Sequence, residues 1–152
     1  MATLTTDLGE EYLVGRDPNG DTLTALLFYD ATDDIQEGDD LAAITTEPDT
    51  ADDYARQSSP VTTAQLSGSG NGDFGFSNDN TLTFTLDSND ETIDAVGFVA
   101  NFQSSIAGDG SPTDHLIAVE NLAIEYPLAE LPELTIEYAS GRLELVVTGT
   151  AP

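Results

Sequence analysis

The sequence predicts an all-β chain, an antiparallel β-sandwich of Greek-key or jelly-roll type with one short N-terminal helix, and three observations carry that expectation. Several short segments alternate apolar and polar residues with the period of a half-buried strand, Thr81 to Asp87 most clearly. Clusters of Gly, Ser, Asn, Asp and Pro separate those segments. No helical pattern alternates with the strands, which argues against a parallel α/β sheet. A length of 152 residues suits one domain, read as a helical segment over 1–16 followed by a sandwich over 17–152.

Leu4, Leu8 and Tyr12 recur every four residues, with Thr6 or Asp7 placed as a cap and Gly15 as the residue that ends a helix. After the turn Asp17-Pro18-Asn19-Gly20, the nearly continuous apolar run Leu23 to Tyr29 suits a central strand covered on both faces. Asp30 to Asp53 reads as a long acidic connection in which Leu41 to Thr46 forms a short strand or turn. Tyr54 to Gln57 opens a further strand, and Ser67 to Gly75 is a flexible turn. In Thr81 to Asp87 the residues Leu82, Phe84 and Leu86 face inward; in Ile93 to Phe102 the inward set is Val96, Phe98, Ala100 and Phe102. Asp109-Gly110-Ser111-Pro112 interrupts as a surface loop before the strand Leu116 to Tyr126. Leu134 to Tyr138 and Leu143 to Val147 alternate on either side of Ser140-Gly141, the pattern of a hairpin. Seven or eight strands result, a sandwich count.

Charge is the most specific compositional feature. Twenty-nine acidic residues face three arginines, Arg16, Arg56 and Arg142, with no lysine, for a net charge of −26. In dilute buffer that field opposes compaction, whereas in multimolar salt the screening length falls to about 3 Å and the repulsion fades, so the expected environment is brine. Three isolated arginines form no basic stripe, which excludes a nucleic-acid partner. No apolar run approaches the roughly 20 residues of a membrane helix, and Met1 to Asp7 lacks the basic and apolar regions of a secretion signal. Without cysteine there is no disulfide or thiolate chemistry.

Candidate chemistry is sparse. Gly70-Asn71-Gly72-Asp73-Phe74-Gly75 has the spacing of a dinucleotide loop, but an alternating strand follows where a helix N-terminus is required. His115, the single histidine, lies beside Asp114 with no nucleophile-elbow pattern, and reads as a surface or rim residue at a strand start. One histidine and no cysteine leave zinc and redox metals without their usual ligands. Carboxylates are too abundant for any pair to be nominated as a glycosidase acid and base. No cofactor is expected; the weak candidates for a structural Mg²⁺ or Ca²⁺ are Asp30, Asp33 and Asp34, which lack the order of an EF-hand loop. Arg56 is placed for a bidentate carboxylate contact, at a subunit interface or within the domain.

The segments Leu4-Thr5-Thr6-Asp7-Leu8-Gly9-Glu10-Glu11-Tyr12, Leu27-Phe28-Tyr29-Asp30-Ala31-Thr32-Asp33, Ile44-Thr45-Thr46-Glu47-Pro48 and Tyr54-Ala55-Arg56-Gln57 together resemble small virion proteins of tailed viruses of haloarchaea and of tailed bacteriophages. The similarity continues more loosely through residues 81–101. It implies a jelly-roll-like module displayed on the particle as a capsid decoration, turret or tail subunit, in a cyclic homo-oligomer, and it brings no catalytic residues.

The expectation is therefore a non-enzymatic virion protein whose partners are its own copies, other virion proteins such as the major capsid protein, and a host-surface receptor if one exists. The alternative is a β-sandwich recognition or adhesion module binding glycans or a host surface, for which Phe74, Phe76 and Tyr126 are the available aromatics. Interfaces between like-charged subunits must be poor in carboxylates. Gln57 to Gly72 contains no acidic residue and Leu143 to Pro152 only Glu144. Gln57, Val61, Leu66, Leu145 and Val147 are accordingly interface candidates, with Arg56 added for its carboxylate contact.

Overall fold

Leu23 to Phe28 carries apolar side chains on both faces, and the fold covers both. The structure is a computed structural model that describes residues 3–14, 21–48, 54–65, 74–78, 80–87, 92–127, 133–138 and 144–147. Its elements are β1 (Thr3–Thr5), α1 (Asp7–Val14), β2 (Thr22–Phe28), α2 (Asp30–Asp33), β3 (Gln57–Gln65), β4 (Phe74–Asn78), β5 (Leu82–Asp87), β6 (Thr92–Phe102), β7 (Thr113–Pro127), β8 (Glu133–Tyr138) and β9 (Glu144–Val147), with a 3-10 turn at Leu41–Ala43. Seven strands form one sheet in the order β1-β7-β6-β2-β3-β4-β9, while β5 and β8 form a two-stranded ribbon. Every strand pair is antiparallel.

One face of the sheet presents Leu23, Ala25 and Leu27 of β2, Val96, Phe98, Ala100 and Phe102 of β6, and Ile117 of β7. Leu8 and Tyr12 of α1 and Leu82, Phe84 and Leu86 of the ribbon pack on them, so α1 and the ribbon roof this face. The opposite face presents Leu26, Phe28, Ala95, Val99, Leu116 and Val119, and Ile35, Leu41, Ala43 and Ile44 from the 30–48 connection cover it. Each buried side chain of Leu or Phe size contributes about 1.5–3 kcal/mol, which makes this double cover the main stabilising feature.

Two devices join the layers. Thr6 is buried at the start of α1: its Oγ1 accepts from the Gly9 amide at 2.9 Å, as an N-cap does, and donates to the Leu116 carbonyl at 2.7 Å. Gly9 follows from that docking, since a Cβ there would collide with the Ile117 carbonyl oxygen. On the other side, β3 pairs with β2 only as far as Ala25, and the Leu27 amide finds the buried Tyr54 hydroxyl instead, at 3.1 Å. That hydroxyl donates to Glu47 Oε2 at 2.8 Å, and burial pushes the phenol pKa upward, so it stays a donor.

Several expectations are met: β2 is central, and the alternation of β5 and β6 places the inward residues as read from the sequence. Others are corrected. Leu4 lies on β1 rather than in the N-terminal helix, because its backbone pairs with Val119 before Thr6 caps α1. The hairpin does not form: β8 pairs with β5 and β9 with β4, strands whose own alternation is equally compatible. The turn assigned to Ser67–Gly75 runs two residues too far, since Phe74 and Gly75 belong to β4. Gly15 and the Asp17–Gly20 turn lie outside the described residues, as do Ser140 and Gly141. The acidic connection is also tightly tied. Asp94 accepts from the Asp30 and Ala31 amides at 2.6 and 3.3 Å, fixing the start of α2, and Asp34 ends it in the left-handed conformation that aspartate tolerates, at φ 50°.

Candidate functional site

The densest polar cluster lies where β6 ends and β7 begins. The ring of His115, the third residue of β7, turns inward against Phe102 in an edge-on contact with centroids 5.1 Å apart, and the residue is only 3% exposed. Two carboxylates reach it from different parts of the chain. Asp40, the cap of the 3-10 turn, holds the Leu41 and Leu116 amides through Oδ1, at 2.7 and 2.9 Å, and places Oδ2 2.7 Å from His115 Nδ1. Asp109, on the connection from β6 to β7, places Oδ2 2.5 Å from Nε2 and also accepts from the Ser104 amide and the Thr113 hydroxyl. Glu11 of α1 closes the cluster by accepting from Ser104 Oγ at 2.5 Å and from the Ser105 amide at 2.7 Å.

An ionised carboxylate only accepts, so an imidazole flanked by two of them satisfies both only when each ring nitrogen carries a proton. Burial would push the His115 pKa down, but the hydrogen bonds to Asp109 and Asp40 and their charges more than offset it, and the net position lies above the ordinary histidine range. The hydrogen bond from His115 holds Asp109 below the usual carboxylate range, and that from Ser104 does the same for Glu11.

Thr113, His115 and Asp40 stand in the order of a nucleophile, base and orienting acid, with Thr113 Oγ1 2.9 Å from Nε2. In this arrangement they do not act as one. Nε2 faces Asp109 and must itself donate, the threonine hydroxyl is directed to the same carboxylate, and the ring is closed to solvent. The cluster is a cross-link between the 3-10 turn, the β6–β7 connection and the sheet. His115 is thus a buried residue, correcting its reading as a surface or rim histidine: only its place at a strand start is as expected.

The cation candidates accept hydrogen bonds from the chain itself. Asp33 accepts from both the amides and the hydroxyls of Thr45 and Thr46, at 2.6 to 3.2 Å. Asp30 Oδ1 accepts from the Ile35 amide and Asp34 Oδ1 from the Gln36 side chain. Among the described residues no three Asp, Glu or His side chains converge as metal ligands would.

The interface candidates fall differently. Gln57 and Val61 lie on β3, and Leu145 and Val147 lie on β9. The two strands flank β4, with Val61 opposite Asn78, Phe76 opposite Leu145 and Phe74 opposite Val147. Four candidates from distant parts of the chain thus share one three-stranded wing, and among the described residues β9 is the last strand of the sheet. Leu66 lies outside the described residues. Arg56 precedes the wing and makes its bidentate contact within the chain, to Glu47, through Nε at 2.8 Å and Nη2 at 2.7 Å. Tyr126 is half-buried against the core.

Compared with protein-family models, curated proteins and solved structures, the chain has no match.

The sequence pointed to the wing by composition but could not show that its strands are neighbours. It missed Asp40 and Asp109 altogether, because one is 75 residues from His115 and both sit among many other carboxylates.

Proposed function

We propose that the chain is a non-enzymatic structural subunit of a virus particle adapted to brine, a turret or decoration protein of the capsid surface that assembles as a cyclic homo-oligomer. One observation carries the reading: β3, β4 and β9 hold a single acidic residue, Glu144, among their 18 residues in a chain with 29, and they lie side by side up to an edge of the sheet. A subunit of charge −26 meets its copies at least cost where carboxylates are absent, and strong salt screens the remainder. In the same reading the β5–β8 ribbon is a reduced second sheet facing the first, which makes the fold an antiparallel sandwich of jelly-roll type. The resemblance of residues 4–57 to virion proteins of haloarchaeal tailed viruses agrees with this.

Light scattering on the purified chain tests the assembly. A discrete mass of several chains is expected in about 3 M salt, falling in about 0.1 M salt as the screening length grows to about 10 Å. Val147→Asp, which adds charge to β9, is expected to lower the mass in about 3 M salt while the far-UV spectrum stays that of a β protein. A single-chain mass at both salt concentrations overturns the assembly, and absence of the chain's peptides from purified particles overturns the virion assignment.

A further inference from the structure

The carboxylates around α2 accept from backbone amides, threonine hydroxyls and the Gln36 side chain, and the wing belongs to the proposed assembly. The ring of His115 stands apart from both.

We propose that His115 is a pH-operated latch, which as an imidazolium bolts the 103–112 connection and the 3-10 turn to the end of the sheet, and on losing its proton releases the connection. The geometry argues for it in three steps. Nδ1 and Nε2 each face a carboxylate at hydrogen-bond distance, and both can be served only while the ring holds two protons. Neutral imidazole would turn one lone pair toward Asp40 or Asp109; on the Nε2 side the Thr113 hydroxyl, 2.9 Å away, would donate to the bare nitrogen by leaving Asp109, so that carboxylate would lose both of these donors. The two sides differ in what else holds them: Asp40 keeps the Leu41 and Leu116 amides, whereas Asp109 keeps the Ser104 amide of its own connection and the Thr113 hydroxyl at the start of β7. Glu11 still holds Ser104 and Ser105, so the part of the connection that lets go is 106–112.

The charged groups around the ring all favour the proton. Asp40 faces it from the 3-10 turn and Asp109 from the connection. Glu11 acts on it from α1 at longer range. The neighbouring Asp114 is exposed and bonded to Asn101 on β6. Since the folded pKa lies above the value of about 6.5 for a free histidine, the latch contributes in full below about pH 6.5 and is lost as pH rises through the folded value. Part of that affinity comes from the distant charge of the chain, so strong salt should move release to lower pH, while the buried contacts are screened less.

The test uses the intact chain, in which the single histidine makes the ring resonances unambiguous. Nitrogen NMR of the ring across pH 5 to 10 is paired with hydrogen exchange of the Ser104, Ala107 and Asp109 amides, corrected for the base-catalysed chemical rate. We expect a ring pKa above about 6.5, with protection of these amides falling by up to about tenfold per pH unit between about 6.5 and that value and levelling off above it, while β6 amides keep theirs. Asp109→Asn should lower the ring pKa and the release pH together, and His115→Gln should leave the loop amides without this pH dependence. A ring that titrates at or below about 6.5, or loop protection that passes through the titration unchanged, overturns the latch; the wild-type measurement decides even if a variant fails to fold.

Discussion

The 30–47 connection and the β3–β4–β9 wing each have 18 residues, yet seven of the first are acidic and one of the second. The first spends its carboxylates on structure: Asp33, Asp30, Asp39 and Asp40 each accept from backbone amides, and the segment covers one face of the sheet. The second runs as an antiparallel ladder, with β5 near β3 and α1 near β9, and among the described residues β9 is its last strand. The contrast teaches that an acidic chain can use part of its charge as caps and clamps for its own loops, as the Asp residues of 30–47 do. Stability should accordingly reside in the doubly covered half, and association in the wing.

The strongest way to break that division is to open the cover. Phe84→Ala removes a buried ring of the ribbon that meets Tyr54 edge-on at 6.4 Å, and should cost about 3–5 kcal/mol in denaturant unfolding at about 3 M salt. A loss below about 1 kcal/mol would show that the ribbon is not part of the stabilising layer. Gly9→Ala comes next, because the added methyl meets the Ile117 carbonyl and either α1 or β7 must move; a loss of about 3 kcal/mol is expected by thermal unfolding. An unchanged melting temperature would mean that α1 is not fixed against β7. The smallest effect should come at the boundary of the wing. Arg56→Gln breaks a pair whose side chains are 39% and 19% exposed, so about 0.5–1 kcal/mol is expected in low salt and less in strong salt. An effect that instead grew with salt would place Arg56 in the intersubunit contact.

The parts of the fold legible in the sequence are those set by one-sided burial. Leu82, Phe84 and Leu86 alternate with threonines because only one face of β5 meets the core, and the pattern follows directly. Partner choice is a different matter: β8 and β9 each alternate well, and nothing local says that their neighbours are β5 and β4. Leu4 misled because a three-residue strand is too short to show a period, while its spacing to Leu8 and Tyr12 imitates a helix. Ile35, Leu41 and Ile44 are hidden by the acidic residues around them, although they cover the β2, β6 and β7 part of one face of the sheet. The His115 cross-link depends on contacts across 75 and 6 residues, and one acidic side chain among 29 carries no mark of being a partner.

The docking of Thr6 on Leu116 and Ile117 also sets an order of events. These residues are 110 positions apart, so β1 and α1, though made early in synthesis, have no place to settle until β7 has left the ribosome. Tyr12 finds Phe102 once β6 is made, but the Thr6 anchor waits for β7, so β1 and α1 are among the last pieces fixed into the finished fold.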